Sequence, residues 1–402
     1  MKRKLLCALL CVSTVAATMM TGCGNSSEST KEETKEDVSD TSSETEKTDA
    51  TKETQDVKET EMTQEELIEA AKAEGTLRVY GVHSYLEKAA AAFQEKYGIT
   101  VEWTQLGETE LMDKVSTECQ AGISDGADLI FAQDGARISA DLITPGYIHQ
   151  WSSDRLGALT GNSDMSLSVF EYSAKAFIYN NEKTGETPYL TNIWMVTDPQ
   201  YKGFFSMKDP TAEGVNFNFL TMLTSDENAA KMAEAYKEYY GKDITLTTDN
   251  AGYEFIKMMY ENGVVLGTSD TKISEAIGAK GQSDTWVGFF AVQRFATAAE
   301  KDLALAMNTE MSPFVGWYYP IYSIILENAQ NKNAAKLFVE YMLSEEGWSF
   351  WSENVGDYNA NTSLPYAGDI SFEDWKKIAI GEDLDYVYKN RAVVEDFISS
   401  IQ

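Results

Sequence analysis

The sequence predicts an α/β fold in two lobes. From residue 63 onward, short strands rich in β-branched and aromatic residues alternate with amphipathic helices, the pattern of a parallel sheet covered on both faces. This body of about 340 residues is long enough to bury a core and to form two domains or lobes. Cys119 is the single cysteine within it, so we expect no intrachain disulfide.

The first predicted unit begins with a helix, TQEELIEAAKAEG. Thr63 and Glu66 form a capping box at its start, and Gly75 ends it. Strands and helices then alternate, in the order TLRVYGV, SYLEKAAAAFQEKYG, ITVEWTQL, ETELMDKVSTECQAG, ADLIFAQD and ARISADLI. This spacing predicts strands joined by helical crossovers.

A second predicted unit follows the long strand VFEYSAKAFIYN. Its predicted elements are the strand YKGFFSMKDP, the helices NFNFLTMLTSDENAAKMAEAYKEYYG and NAGYEFIKMMYENG, the strands VVLGT, TWVGFFAV and WYYPIYSIIL, and the amphipathic helix NAAKLFVEYMLSEEGWSFWSEN. We expect the chain to pass between the two units more than once.

The N-terminus predicts export. Residues 1–22 have the basic start and short apolar run of a signal peptide, and the run is shorter than the about 20 residues of a membrane span. Residues 20–23, MTGC, resemble the lipobox of bacterial lipoproteins, which implies cleavage before Cys23 and lipidation of that residue. Residues 23–61 are nearly all Ser, Thr, Glu, Lys, Asp and Gln, so we expect a disordered acidic tether.

The charge distribution argues against a nucleic-acid partner. The whole chain carries a formal net charge of −31, of which residues 62–402 carry −26. Nucleic-acid binding needs a basic surface to meet the phosphates. The net charge leaves the charge of a small ligand open, because a binding site depends on a few local groups.

Five segments resemble the extracellular solute-binding proteins of ABC importers. They are AAKAEG before TLRVYG, FQEKYGI before TVEW, ADLIFAQD, YKGFFSMKDP and LENAQNKNAAKLFVEYMLSEEG. They are most similar to the branch that includes ferric-iron, sugar-phosphate, phosphonate and thiamine binders. The resemblance implies a two-lobed periplasmic-binding-protein-like fold with crossover strands as a hinge. Lobe 1 would comprise residues 63–171 and about 314–344, and lobe 2 residues 172–313 and about 345–402.

The resemblance also implies a transport function without catalysis or a cofactor. A monomeric lipoprotein would capture a small solute between the lobes and deliver it to a membrane permease and its ATPase. The anchor at Cys23 suggests the extracellular face of the cell membrane of a Gram-positive bacterium. Helix N-termini around the cleft favour a sugar, a sugar phosphate or another small organic anion. Ferric iron or another cation is the alternative, and a non-transport surface lipoprotein or an enzyme is a more distant one.

Ligands of open α/β sheets bind beyond the carboxyl ends of the strands, where helix N-termini present free N–H groups. We therefore expect contacts from the loops at these ends, from the crossover strands and from nearby aromatic and basic side chains. The predicted ligand contacts are His83, Ser84, Tyr85, Gly107, Glu108, Thr109, Asp134, Gly135, Arg137, Tyr172, Ser173, Asp209, Thr211, Trp286, Trp317, Tyr318 and Tyr319.

Several of these residues have a structural alternative. Arg137 and Arg294 are the basic residues best placed to meet an anion. Either could pair with an acid instead, and we favour this alternative for Arg294. His83 could contact the ligand or simply cap a helix. Aromatic residues such as Trp286 could stack on a sugar ring or a cation, or belong to the core.

The sequence argues against a metal site and against an enzyme. The chain has only two histidines, and metal sites cluster their ligands at short spacing. Where ferric-iron binders of this branch have adjacent tyrosines, the resemblance places Phe289 and Phe290. Strand alternation should turn Tyr318 and Tyr319 to opposite faces. Residues 122–126 match G-x-S-x-G, but a helix precedes them and a strand follows, the reverse of a nucleophile elbow.

Overall fold

The computed structural model describes residues 61–402. The described residues belong to one compact unit. The predicted signal peptide, Cys23 and all of the predicted tether except its last residue lie outside them. Between residues 61 and 402, no helix is both long enough and apolar enough to span a membrane.

The described part of the chain contains eleven strands in one mixed sheet. They are β1 Thr76–Gly81, β2 Thr100–Gln105, β3 Leu129–Ala132, β4 Ser168–Tyr179, β5 Phe205–Lys208, β6 Val265–Gly267, β7 Val287–Ala291, β8 Ala306–Met307, β9 Gly316–Ile325, β10 Asp357–Asn359 and β11 Ala379–Gly381.

Helices cover the sheet. The α-helices are α1 Gln64–Glu74, α2 Tyr85–Tyr97, α3 Glu108–Gln120, α4 Gly135–Arg137, α5 Asp154–Thr160, α6 Gly214–Leu223, α7 Asp226–Tyr240, α8 Ala251–Glu261, α9 Asp270–Gly278, α10 Phe295–Ala298, α11 Lys332–Met342, α12 Glu345–Trp348, α13 Phe372–Ile378 and α14 Leu384–Ile401. A π-helical segment, Ile138–Ile143, continues α4, and 3₁₀ turns occur at Ile193–Thr197, Pro199–Tyr201 and Val292–Arg294.

Two long strands join the two halves of the sheet. The order is β2-β1-β3-β9-β4-β7-β5-β6. We call β1, β2 and β3 the first half and β5, β6 and β7 the second half; the strands within each half are parallel. The crossover strands β4 and β9 pair antiparallel with each other and with the adjacent strand of each half. The predicted α/β fold with crossover strands is therefore present.

Helix ends follow local capping chemistry. The capping box of Thr63 and Glu66 forms, and Gly75 ends α1 with a positive φ of 75°. Both of the longest predicted helices are broken, because Ser225 and Ser344 each cap a new helix. The Ser225 hydroxyl accepts from Asn228 N at 3.4 Å, and Ser344 accepts in the same way at the start of α12. Serine favours this position because its oxygen satisfies a free N–H of the first turn.

The C-terminal segment packs on both halves of the sheet. β10 pairs with residues 171–173 of β4, and α12 packs against α2 and α11. The last helix, α14, packs against α4 after the first half and against α6 in the second. The predicted assignment of residues 345–402 to lobe 2 does not follow from these contacts, which involve elements of both halves. The lobe boundaries themselves stay a prediction.

Asp128 provides a test of how the first half of the sheet is held together. Its buried carboxylate accepts hydrogen bonds from three backbone amides, those of Arg78 at 2.9 Å and of Gln330 and Asn331 at 3.1 Å each. Asp128→Ala should lower the free energy of unfolding by about 3 kcal/mol or more, because three N–H groups lose their partner. Urea unfolding measures this loss. The exposed Asp125→Ala should change it by less than about 0.5 kcal/mol; equal losses would contradict the prediction.

Candidate functional site

The carboxyl ends of several strands meet at the middle of the crossover. β4 occupies one edge of β9, so β3 and β11 share the other edge. β3 and β11 run in opposite directions, and their carboxyl ends lie on either side of residues 319–321 of β9. On β4, the last residue of β7 pairs with Lys175 and the first residue of β10 pairs with Ser173. The loops after β3, β7 and β11 and the loop before β10 therefore surround one place, which we call the cleft.

The first half contributes polar groups around Glu108. This side chain is 5% exposed, and its Oε1 accepts from Gln133 N at 3.3 Å and Asp134 N at 3.1 Å. Asp134 caps α4 by accepting from Arg137 N at 3.4 Å. His83, after β1, lies close enough to hydrogen bond with Gln133. These groups form the first bank of the cleft.

The second half contributes an ion-pair network around Lys175. This residue of β4 is 1% exposed and forms ion pairs with Glu213 and with Asp270 Oδ2, the latter at 3.3 Å. Asn216 Oδ1 accepts a further hydrogen bond from Lys175 at 3.1 Å, and Lys208 pairs with Glu213 at 3.0 Å. Burial opposes ionisation of Glu213, but the two lysines outweigh it and lower the pKa of Glu213 to about 2. The network is therefore charged and internally balanced.

Arg294, after β7 of the second half, lies near enough to His83 for its charge to act on that imidazole. Its guanidinium donates to Thr271 Oγ1 at 2.9 Å and to Gln293 Oε1, while its buried Nε has no hydrogen-bond partner. Burial lowers the pKa of His83 to about 4, and the nearby charge of Arg294 acts in the same direction. His83 is therefore neutral at pH 7, and its Nε2 is also buried without a partner.

The tandem tyrosines face opposite sides of β9. Tyr319 stacks on Trp317 with ring centroids 5.2 Å apart, and both are buried. Burial, followed by the nearby charge of Glu213, raises the pKa of Tyr319 well above its ordinary value. Tyr318 lies on the other side, where its ring packs edge-to-face on Tyr172 with the ring centroids 6.3 Å apart. Tyr319 is thus the tyrosine of this pair beside the ion-pair network.

Glu382 and Arg391, which lie in the C-terminal segment, complete the cleft. Glu382 follows β11, and Asn218 Nδ2 donates to its Oε2 at 3.2 Å and to Asp134 Oδ1 at 3.3 Å. Arg391 of α14 forms an ion pair with Asp134. We call Glu108, Asp134 and Glu382 the acid cluster. It joins the first half of the sheet, α6 of the second half and the C-terminal helix.

Burial makes two members of the acid cluster hard to ionise. Together with the charge of Asp134, it raises the pKa of Glu108 to about 8. The same two causes raise the pKa of Glu382 well above its ordinary value. Glu108 Oε2 and Glu382 Oε1 are buried, and the part of the chain that the structure describes supplies no hydrogen-bond partner for either.

The structure brings some of the predicted contacts together at the cleft. These are His83, Glu108, Asp134, Gly135, Ser173 and Tyr319, with Trp317 stacked behind Tyr319. The exposed residues Ser84, Gly107 and Thr109 lie beside them on the same loops. Whether any of these residues contacts a ligand stays a prediction.

Other predicted contacts have different surroundings. The ring centroids of Tyr85 and Trp351 are 5.6 Å apart, and those of the stacked rings of Tyr172 and Phe372 are 4.5 Å apart. Trp286 precedes β7, at the opposite end of that strand from the cleft, and packs on Phe204.

The remaining predicted contact residues form hydrogen bonds or ion pairs with protein groups around them. Asp209 closes its own turn by accepting from Thr211 N at 2.9 Å. Arg137 forms ion pairs with Asp113 and Asp141, each at 2.7 Å. We considered pairing with an acid for either arginine and favoured it for Arg294, but within residues 61–402 the ion pairs are formed by Arg137. Two carboxylates lie within reach of Arg137, whereas Arg294 is bound by neutral oxygens.

Sequence reasoning missed several cleft residues. Glu171, Ser173 and Lys175 alternate along a strand whose other residues are mainly apolar, and this pattern marks one polar face. That signal could have identified Glu171 and Lys175. Glu382 and Arg391 carried no such signal, because they reach the cleft from the far end of the chain.

The sequence profile of the bacterial extracellular solute-binding protein family matches residues 88–379. This match covers well over half of the chain. The chain belongs to that family. It is a solute-binding protein of the ABC importer type, and α14 lies beyond the matched residues.

Solved structures share the fold of this solute-binding protein. Iron-bound HitA from Pseudomonas aeruginosa is 17% identical, with a TM-score of 0.62, and the match covers 81% of this chain and 99% of that one. AfuA from Actinobacillus pleuropneumoniae with bound fructose-6-phosphate is 19% identical, with a TM-score of 0.60 and coverage of 81% and 97%. The substrate-binding protein of an Agrobacterium tumefaciens ABC transporter is 15% identical, with a TM-score of 0.60 and coverage of 81% and 94%. No curated protein matches the sequence significantly.

The raised pKa of Glu108 predicts a pH effect on stability. As pH rises from 4.5 to about 8, the unfolded chain releases this proton and the folded protein keeps it, so the folded state loses stability. Glu108→Gln removes this effect while keeping the size of the side chain. The variant should therefore gain stability relative to the natural protein, by at most about 1.4 kcal/mol per pH unit in this window.

Urea unfolding at several pH values measures this difference. Glu110→Gln, on the exposed side of α3, is the matched control and should follow the natural protein. If the free energies of unfolding of Glu108→Gln and the natural protein differed by the same amount at every pH in this window, the prediction would be contradicted.

Proposed function

We propose that this protein captures a small organic solute in the cleft and delivers it to a membrane permease with its ATPase. The solute is a sugar, a sugar phosphate or another small organic anion. The protein acts as a monomer without catalysis, anchored through Cys23 to the outer face of the membrane of a Gram-positive bacterium. Membership of the solute-binding family supports the transport role, and the chemistry of the cleft supports the class of solute.

The observation that carries the proposal is the pair of unpartnered nitrogens on opposite banks of the cleft. His83 Nε2 and Arg294 Nε are both buried, and neither has a hydrogen-bond partner among residues 61–402. A buried polar group without a partner costs free energy. A phosphate, carboxylate or hydroxyl between the banks would accept from Arg294 and satisfy His83. Such a bridging ligand also favours closure, because it contacts both halves of the sheet.

Ferric iron is a weaker candidate. Iron-bound HitA shares the fold, but this chain has the buried Phe289 and Phe290 in the region expected to carry iron-binding tyrosines. Tyr318 and Tyr319 face opposite sides of β9 and cannot both bind one ion. Within residues 61–402, no three His, Cys, Asp or Glu side chains are grouped to hold a metal ion.

Arg294 provides the first test of the proposed site. The purified protein should be stabilised against heat by fructose 6-phosphate, glucose 6-phosphate or glucose, by about 2.7 kcal/mol at a hundredfold excess over the dissociation constant. Arg294→Gln should weaken binding of the stabilising solute at least tenfold, because a charged hydrogen bond is lost.

Arg137→Gln is the matched comparison. Its guanidinium is already held by Asp113 and Asp141, so affinity should change by less than about twofold. Thermal shift and isothermal calorimetry give both values. If no sugar or organic anion stabilised the protein, the proposed solute class would be wrong; equal losses in the two variants would remove Arg294 from the site.

The iron alternative has a spectroscopic test. Ferric citrate added to the purified protein should produce no visible tyrosinate charge-transfer band, because the adjacent phenols diverge. HitA under the same conditions serves as the positive comparison. A band that disappeared in Tyr318→Phe or Tyr319→Phe would establish iron binding here and overturn the organic-solute proposal.

A further inference from the structure

We propose that the acid cluster binds a protonated amine of the solute, so that the preferred solute is an aminated sugar or aminated sugar phosphate. The inference rests on the proposed function, because the acid cluster belongs to the same cleft. It adds a requirement for positive charge on one end of the solute.

The acid cluster has three carboxyl groups and one paired cation, Arg391. Asp134 is paired with Arg391. Across residues 61–402, no ion pair is formed by Glu108 or Glu382, and each has one buried oxygen without a hydrogen-bond partner. A buried carboxylate without a cation is costly. The two glutamates therefore provide unfilled acceptors for a positively charged donor.

The acceptors are held close together by the backbone and by one amide. Asn218 Nδ2 donates to both Asp134 and Glu382. Glu382 Oε1 lies directly over Gly135, where a Cβ would overlap it, and a Cβ on Gly214 would overlap Asp134 Oδ2. Glycine at these two positions makes room for the carboxyl groups of Glu382 and Asp134.

An ammonium group fits this arrangement better than a metal ion. A protonated amine is a compact charge with three donors that can point at acceptors on different elements. A metal ion needs several ligands at fixed short distances, and the described residues contain no such group. Arg294 on the opposite bank and His83 beside the acid cluster offer nitrogens to the phosphate or hydroxyl groups of the same solute.

Binding of an amine here must displace protons. The charged groups that act on Glu108 are Asp134 and Glu213, and those that act on Glu382 are Asp134, Arg391 and Glu108. Without a bound ammonium, the pKa of Glu108 at about 8 keeps its proton at neutral pH, and burial favours the protonated form of Glu382 as well. An ammonium would favour their ionised forms, so its binding releases protons and its affinity rises with pH until the amine itself loses its proton.

Isothermal calorimetry on the purified protein tests the inference with matched sugars. Glucosamine is compared with glucose, and glucosamine 6-phosphate with glucose 6-phosphate, at about pH 6.5 in two buffers of different ionisation enthalpy. We expect the amine of at least one pair to bind tenfold tighter or more, with net release of protons. A hydroxyl analogue that binds equally well or better would overturn the inference and leave the proposed function intact.

Substitutions locate the effect in the acid cluster. Glu108→Gln and Glu382→Gln should each reduce the preference for the amine at least tenfold, because a neutral amide cannot balance an ammonium. Glu110→Gln, exposed on the same helix as Glu108, should leave the preference unchanged. An amine preference that survives in both cluster variants would place the amine elsewhere and overturn the inference.

A smaller pair of probes separates the two proposals if neither sugar pair binds. Thermal unfolding is then measured with 2-aminoethanol and with 1,2-ethanediol at millimolar concentrations. Stabilisation by 2-aminoethanol alone, lost in Glu382→Gln, would support the amine site and reject a sugar as the solute. Absence of any effect of the amine would overturn the inference.

Discussion

The antiparallel pairing of β4 with β9 is the constraint on which the rest of the structure depends. These strands are the path by which the first half of the sheet connects to the second. Their pairing brings the carboxyl ends of β3, β7 and β11 to one place. It also fixes which side chains face that place, because alternation along β4 puts Ser173 and Lys175 on the same face. A shift of one residue in this register would exchange them for apolar neighbours.

The charges around the crossover fall into two groups with different physical roles. Lys175 and Lys208 balance the charges of Glu213 and Asp270 without any ligand, and this network holds the second half to the crossover. Asp270 Oδ1 is nevertheless buried without a hydrogen-bond partner among residues 61–402. The acid cluster and Arg294 are incomplete. They keep buried polar atoms without partners, which a folded protein normally avoids. Unpartnered polar atoms suit a protein that binds a solute. A solute that hydrogen-bonds to them gains free energy that the empty protein does not have, and this gain contributes to binding.

Much of the fold followed from local sequence signals. The capping box at Thr63 and Glu66, the alternation of strands and helices, and the long strand that became β4 depend on neighbouring residues and were predicted correctly. The breaks at Ser225 and Ser344 were missed because an apolar helical pattern runs through both, and only the capping geometry separates the helices. No element was predicted beyond residue 354, although β11 and α14 bring Glu382 and Arg391 into the cleft.

The sequence by itself determined the α/β class, the crossover strands and the cleft loops of the first half of the sheet, because strand periodicity and helix capping act over a few residues. It also placed His83, Glu108 and Asp134 at strand ends, which the sheet then brought together. The tertiary structure alone decided that Arg137 is neutralised while Arg294 is not, that Tyr319 rather than Tyr318 lies beside Lys175, and that Glu382 joins Glu108. These outcomes depend on contacts between residues far apart in the chain, and the burial that such contacts create sets which charges remain without partners.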